Sequence, residues 1–276
     1  MMAARAAMPT DVRSVAAFLA AALRDEDAIV GSVLPAPIAA GAVARWDRML
    51  PGIFGLPSRL RVYVEHHAAR LRAAALVYEA RRPEWVVLVL AARPGPDGAD
   101  GAFRLLSHVC AAAAQRGMQR VFATVPDVAA GTSAIVRSRE RETFFQAGFY
   151  SYTRETWYLA ADVPLRAPAR RLEGRYARGR DAHHLFRFYA MTTPHAVQRA
   201  EQLTVEDFDV GRRAGAFDPP HLVGGNPLAM RRQALMIVAD DLRPRAFAVA
   251  FRGSERHAHV CKVRTADGDV DLAREL

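Results

Sequence analysis

The chain has 276 residues, 51% of them hydrophobic and 24% charged, with a formal net charge of +9. That profile belongs to a globular protein with room for one large core or two smaller ones, and it excludes a disordered chain, a collagen-like repeat and a disulfide-built miniprotein. No apolar run approaches the roughly 20 residues that a bilayer requires, so no membrane association is expected.

Ala3–Met8 reads as a short strand, and a helix capped by Thr10 or Asp11 follows to about Arg24. Pro35 and Pro37 precede a second helical run, Ile38–Leu50. Arg61–Glu65 and Leu71–Ala80 read as strands joined by a turn near His66–Arg70, and Pro83 separates them from a third apolar strand, Trp85–Ala92. A Pro/Gly/Asp loop over Arg93–Gly101 then leads into an Ala-rich helix, Ala102–Arg116, carrying Cys110. The order is informative, because backbone N–H groups and the positive end of a helix dipole converge where a Gly-rich loop runs from a strand into a helix, and phosphates are held there. A strand at Arg120–Val125, a further helix ending in Gly148-Phe149, and a strand at Ser151–Leu159 complete the stretch.

Residues 162–171 read as a linker between a unit over 1–161 and a second over 172–276. The second begins in a similar order. A strand is expected at Gly174–Arg178, helices at Asp181–Met191 and Pro194–Leu203, a loop at Phe217–Pro227, and a meander of Ala234–Ala239, Arg245–Arg252 and His257–Arg264; Asp269–Leu276 suggests the start of a helix. Arg166, Arg170, Arg171, Arg175, Arg178 and Arg180 cluster at this junction. Lys262 is the only lysine among 38 basic residues, so the charge reads as an arginine-rich coding bias and a solvated linker rather than a nucleic-acid surface. Cys110 and Cys261 read as buried free thiols of a reducing, cytoplasmic protein. His66-His67, His183-His184 and the pair His257 and His259 lack the further ligands that a metal site needs, so no metal is expected.

The first unit resembles the GCN5-related N-acetyltransferase (GNAT) family over residues 3–160. The family's acetyl-CoA loop pattern, Val-x-Pro-x-x-Gln/Arg-x-x-Gly-x-Gly/Ala, aligns with the run from Ala92 to Ala102: Pro94, Gly98 and Ala102 fit, while Asp97 and Asp100 replace Gln/Arg and Gly. The family's Tyr-x-x-x-Gly-Phe aligns with Phe144 to Phe149, keeping Gly148-Phe149 and losing the tyrosine. Residues 172–276 resemble the opening of a second GNAT-like unit. The resemblance implies an α/β (α+β) fold with a mixed central sheet flanked by helices. It also implies an N-acyltransferase passing an acetyl or other acyl group from acetyl-CoA to the amine of a small molecule or peptide. Leu90, Ala91, Ala92, Arg93, Gly98, Ala99, Gly101, Ala102, Phe103 and Arg104 would then bind the cosubstrate. Main-chain groups of the fourth strand would polarise the thioester carbonyl.

Acyl transfer to an amine also needs a base for the ammonium and an acid for the thiolate. Glu84 and Asp127, at strand edges, are the candidate bases and Tyr150 the candidate acid. Each has a plainer alternative, a solvated strand-end charge or a packing tyrosine. Asp97 and Asp100 read either as carboxylates opposing phosphate, each costing about 3 kcal/mol at about 5 Å, or as first-turn residues suited to a helix start. A catalytically silent scaffold of the same fold, with its two halves packed together or self-associated, therefore stands beside the enzyme. A nucleic-acid binder using the arginine-rich junction stands behind both.

Overall fold

The computed structural model describes residues 2–22, 29–32, 53, 59–68, 70–79, 83–125, 141–154, 174–209, 231–238, 244–252 and 260–266. These fall into two compact units, the first ending at Tyr150 and the second starting at Ser151. The expected elements at Ile38–Leu50, Phe217–Pro227 and Asp269–Leu276, the linker, Asp127, His257 and His259 lie outside the described residues.

In the first unit, β1 (Met2–Ala6), β3 (Leu60–His67), β4 (Arg70–Glu79) and β5 (Glu84–Ala92) form an antiparallel series in the order β1-β3-β4-β5. The outer edge of β5 carries two further strands. β6 (Arg120–Ala123) pairs with it in parallel over Glu84–Val87, and β2 (Ile29–Ser32) pairs with it antiparallel over Val89–Ala91. Helix α1 (Val12–Ala22) covers one face, packing Val15, Leu19 and Ala22 on Val62, Val64, Leu76, Val89 and Ala91. Helix α2 (Pro96–Gln115) covers the other, packing Leu105, Leu106 and Val109 on Tyr63, Val77, Trp85, Val87 and Leu90. A sheet buried on both faces has no polar side to present, which is why β4 and β5 are near-continuous apolar runs.

The structure moves several expected boundaries. His66 and His67 belong to β3, and β4 already starts at Arg70, with Ala68 between them at φ 46°. Helix α2 begins at Pro96, six residues before Ala102. Proline suits the first helical position, where its missing N–H is not needed. Ser151–Arg154 is not strand.

The second unit holds β7 (Gly174–Tyr176), α3 (Ala182–Thr192), α4 (His195–Glu201), β8 (Arg231–Val238), β9 (Pro244–Arg252) and β10 (Val260–Thr265), with strand order β10-β9-β8-β7. This is the order β5-β4-β3-β1 again, with an 11-residue helix after the first strand in each unit.

The two units start with the same clasp. Arg5 donates from Nη1 and Nη2 to Asp11 at 2.6 and 3.1 Å, and the Met8 N–H donates to Asp11 Oδ2 at 2.7 Å. Arg175 donates likewise to Asp181 at 2.7 and 2.7 Å, and the Arg178 N–H donates to Asp181 Oδ2 at 2.8 Å. Asp11 thus reaches back to Met8 and Arg5 rather than capping the helix ahead of it. Each clasp ties a strand end to a 3-10 turn and fixes the direction in which the helix leaves.

Both carboxyls are held below the ordinary aspartate range. For Asp181 the hydrogen bond from Arg175 is the main cause; for Asp11 burial pushes upward but is outweighed by Arg5 and the Met8 N–H. A depressed folded pKa stabilises above the unfolded value, about 3.9, and that contribution is lost as pH falls through the folded value. Asp181→Asn is therefore expected to lose about 2 kcal/mol at pH 7 in urea unfolding, with the gap to the parent narrowing below about pH 4. A gap that persists undiminished at pH 3 would show that the charge contributes nothing.

Candidate functional site at the end of β5

The site is built by an interruption in β5. β4 pairs Leu76 with Val89 and Val77 with Val87, and skips Leu88. β6 stops at Val87 and β2 starts at Val89, so none of the three neighbouring strands has a partner for Leu88. A register shift of this kind is a β-bulge, which bends the strand and recurs next to active sites. Beyond it lie Leu90, Ala91 and Ala92, all buried, then the turn into α2.

That turn is tied down on one side. The Arg93 N–H donates to Arg72 O at 2.9 Å, and Arg93 Nε donates to Leu71 O at 2.8 Å. Gly95 adopts φ 98°, which an L side chain resists. A Cβ on Gly98 would lie 1.7 Å from the Arg93 carbonyl oxygen, so only glycine closes this turn. The donors are few. Pro94 and Pro96 have no N–H, and those of Gly98 and Ala99 are taken by Gly95 O at 3.1 and 3.2 Å. Gly95 and Asp97 supply the N–H groups that remain at the head of α2.

Charge around the turn is largely paired. Arg72 Nη2 stands 3.3 Å from Asp97 Oδ2, so the feared carboxylate is offset by a cation from β4. Asp97 makes no side-chain cap, and Asp100 is exposed. Arg104 points to the sheet, its Nε donating to Glu65 Oε1 at 3.2 Å, and Glu65 is fully buried. A Cβ on Gly101 would meet Glu65 Oε2 at 3.2 Å and Arg72 Cβ at 3.3 Å, so Gly101 lets α2 approach β3 and β4 closely. Ala102 is buried beneath the helix, while Ala99 and Phe103 are half-buried.

The acid–base candidates do not gather here. Glu84 is buried at the opposite end of β5 in an ion pair with Arg120, its register partner on β6. Leu88 lies four positions further along the strand, about 13 Å away. Tyr150 is 73% exposed. Phe144 is buried, and the segment around it is a helix stop: Phe149 N–H donates to Phe144 O at 2.9 Å, Gly148 N–H donates to Phe145 O at 3.0 Å, and Gly148 takes φ 88°. The rings of Phe144 and Phe149 meet edge to face at 5.2 Å, the hydrophobic contact that accompanies this stop. Gly148-Phe149 is thereby accounted for without catalysis.

Two features escaped the sequence reading. Glu65 looked like a strand end beside a turn and is a buried acid under α2. In the second unit, Tyr189 donates to Glu201 Oε2 at 2.6 Å, Arg264 stacks over the Tyr189 ring at 5.1 Å, and Arg264 also bonds Thr193. Burial, then the bond to Glu201, raises the Tyr189 phenol far above its ordinary range, so it stays protonated at neutral pH. Among the described residues, no group of three His, Cys, Asp or Glu side chains could hold a metal, and no helix is long and apolar enough to cross a membrane.

Gly98→Ala forces the Arg93–Gly98 turn apart and is expected to cost about 1–3 kcal/mol in thermal unfolding. An unchanged melting temperature would mean that the turn is not closed as described.

No family model matches the chain, and no curated protein matches it. Solved structures do. A predicted acetyltransferase with acetyl-CoA from Clostridium acetobutylicum is 16% identical, with a TM-score of 0.38 over 58% of this chain and 96% of the other. A tandem GNAT protein from the clavulanic acid biosynthesis pathway, without AcCoA, is 12% identical, with a TM-score of 0.44 over 99% of this chain and 93% of the other. Identities and scores of this size carry no residue roles. The strand order, the parallel β5–α2–β6 crossover and the repeated opening give the mixed sheet flanked by helices that the resemblance implies, followed by a second unit that repeats its first elements.

Proposed function

We propose that the first unit binds an acyl-CoA and serves as a GNAT-type N-acyltransferase acting on an amine. The observation that carries this reading is the bulge at Leu88. There the parallel strand β6 parts from β5, and the strand end beyond it runs straight into a glycine-closed turn at the head of a 20-residue helix. CoA supplies an acyl group as a thioester, whose carbonyl is open to attack by a neutral amine. The turn fits a phosphate in shape, since Gly98 leaves no side chain in the way and Arg72 neutralises Asp97. Its two remaining N–H groups make it a sparing donor.

The chain's own contribution to chemistry is then positional. In this reading the backbone at the Leu88 bulge donates to the developing oxyanion, usually the largest electrostatic share of acyl transfer. Glu84 is committed to Arg120 and lies about 13 Å along the strand, so it could act only through bound water. An amine that binds already neutral removes the need for it, and holding the two reactants together accounts for the remainder of the rate. We take residues 162–171 as the connection between the units and the cytosol as the place of work. Small-molecule and peptide amines are both acceptors of the right chemistry.

The second reading, a silent scaffold, is favoured by one observation: Phe144 is buried where the resemblance expects a phenol, and Tyr150 is turned outward. Thermal unfolding with and without acetyl-CoA separates the two. At about a hundred times its Kd a ligand adds about 2.7 kcal/mol, several degrees for units of this size. A saturable rise that Gly98→Ala abolishes is the result expected of the enzyme. No rise up to millimolar ligand leaves the scaffold.

For Glu84, the ion pair predicts that Glu84→Gln loses about 3 kcal/mol of stability by leaving Arg120 without its carboxylate. Turnover per folded molecule should be unchanged if catalysis is positional. A fall in kcat of tenfold or more in the folded fraction would restore Glu84 as a base.

A further inference from the structure

We propose that β2 competes with the acyl-CoA arm for the edge of β5, so that the first unit is held closed by its own chain until residues 29–32 leave. The proposal rests on the acyl-CoA reading above. Three observations lead to it. The edge of β5 beyond the bulge is not open: Ile29 pairs with Ala91, Gly31 with Leu90 and Ser32 with Val89. Those are the residues between the bulge at Leu88 and the turn at Arg93, the stretch a ligand must follow to touch both. Among the described residues β2 is an outermost strand, paired to the sheet through β5 alone.

The chemistry of the ligand matches this edge. The arm of CoA is an extended chain with two secondary amides, and such a chain bonds to a strand edge as an added strand does. Both it and β2 would use the same outward N–H and C=O groups of Val89–Ala91, and one edge accepts one partner. β2 is poorly fastened for a strand. It has four residues and three register pairs, with a register shift between Ile29 and Gly31, whereas β4 holds β5 through seven pairs. Short, irregular edge pairing of this kind opens at low free energy compared with the core ladder. A closed state that must open lowers apparent affinity by the fraction of molecules that are open.

The test is amide hydrogen exchange and acetyl-CoA titration on the full chain and on Gly31→Pro, which removes one N–H from β2 and restricts its backbone. The expected result has two parts. Saturating acetyl-CoA speeds exchange in residues 29–32 while Val89–Ala91 stay protected, and Gly31→Pro lowers the apparent Kd by about tenfold or more. Equal affinities, with residues 29–32 as protected in the complex as in the free protein, overturn the competition and leave the acyl-CoA reading standing. Absence of binding to either protein at millimolar ligand removes the acyl-CoA reading, and the proposal with it. Should Gly31→Pro fail to fold, exchange in the parent chain with and without ligand decides alone.

Discussion

One skipped residue organises the first unit. Without Leu88 out of register, β5 would run as a straight ladder flanked on its outer edge by a single strand. With it, the same edge serves β6 before the bulge and β2 after it, and the strand bends toward the turn that starts α2. The cost is small, a lost ladder position in a strand otherwise paired along its length. The return is a place where a backbone peptide, a strand edge and a helix head lie along one line. The packing of both helices follows from it. Val89 and Ala91 beyond the bulge face α1, while Leu90 and Ala92 face α2. Trp85 and Val87 before it also face α2, so the bulge shifts the alternation by one and keeps both faces apolar.

The repeated clasp answers a different need. An arginine on the first strand, an aspartate six residues on and an N–H midway between them close the same small ring in both units. A short strand followed at once by a helix gives the chain little to fix its turning angle. A fork-to-fork ion pair with a backbone bond added supplies it, because two parallel bonds define an orientation where one would not. That the second unit repeats the ring, and then the strand order, makes duplication the simplest account of the chain.

What could be read in the sequence follows the same physics. Gly98 and Gly148 were legible because a turn and a helix stop make demands on the backbone that few residues meet. The order of elements was legible because long buried strands and Ala-rich helices differ plainly in composition. The bulge was not, since Trp85–Ala92 is apolar on both faces and offers no alternation whose break would mark it. The start of α2 was set too late because Pro96, Asp97 and Gly98 carry loop composition, yet Pro at the first helical position and an acid in the first turn suit a helix start equally well. The clasp was hidden for a plain reason. In a chain this rich in arginine, one Arg–Asp spacing does not stand out.

The buried acids show why loop and catalytic carboxylates should be weighed separately. Glu65 and Glu84 are both removed from water, and both stand beside an arginine, Arg104 and Arg120 respectively. A carboxylate in that state is costly to strip of its partner, so it serves to lock elements together: Glu65 fastens α2 to β3, and Glu84 fastens β6 to β5. Neither faces the turn at Arg93–Gly98. The acids that do, Asp97 and Asp100, are exposed and sit where the helix dipole favours negative charge. An unpaired carboxylate there would repel a phosphate, but Asp97 has Arg72 at 3.3 Å, and a polyanion arriving at the turn can take over that guanidinium from it. Of these four carboxylates, Glu65 and Glu84 hold elements of the fold together, and Asp97 and Asp100 set the charge at the head of α2.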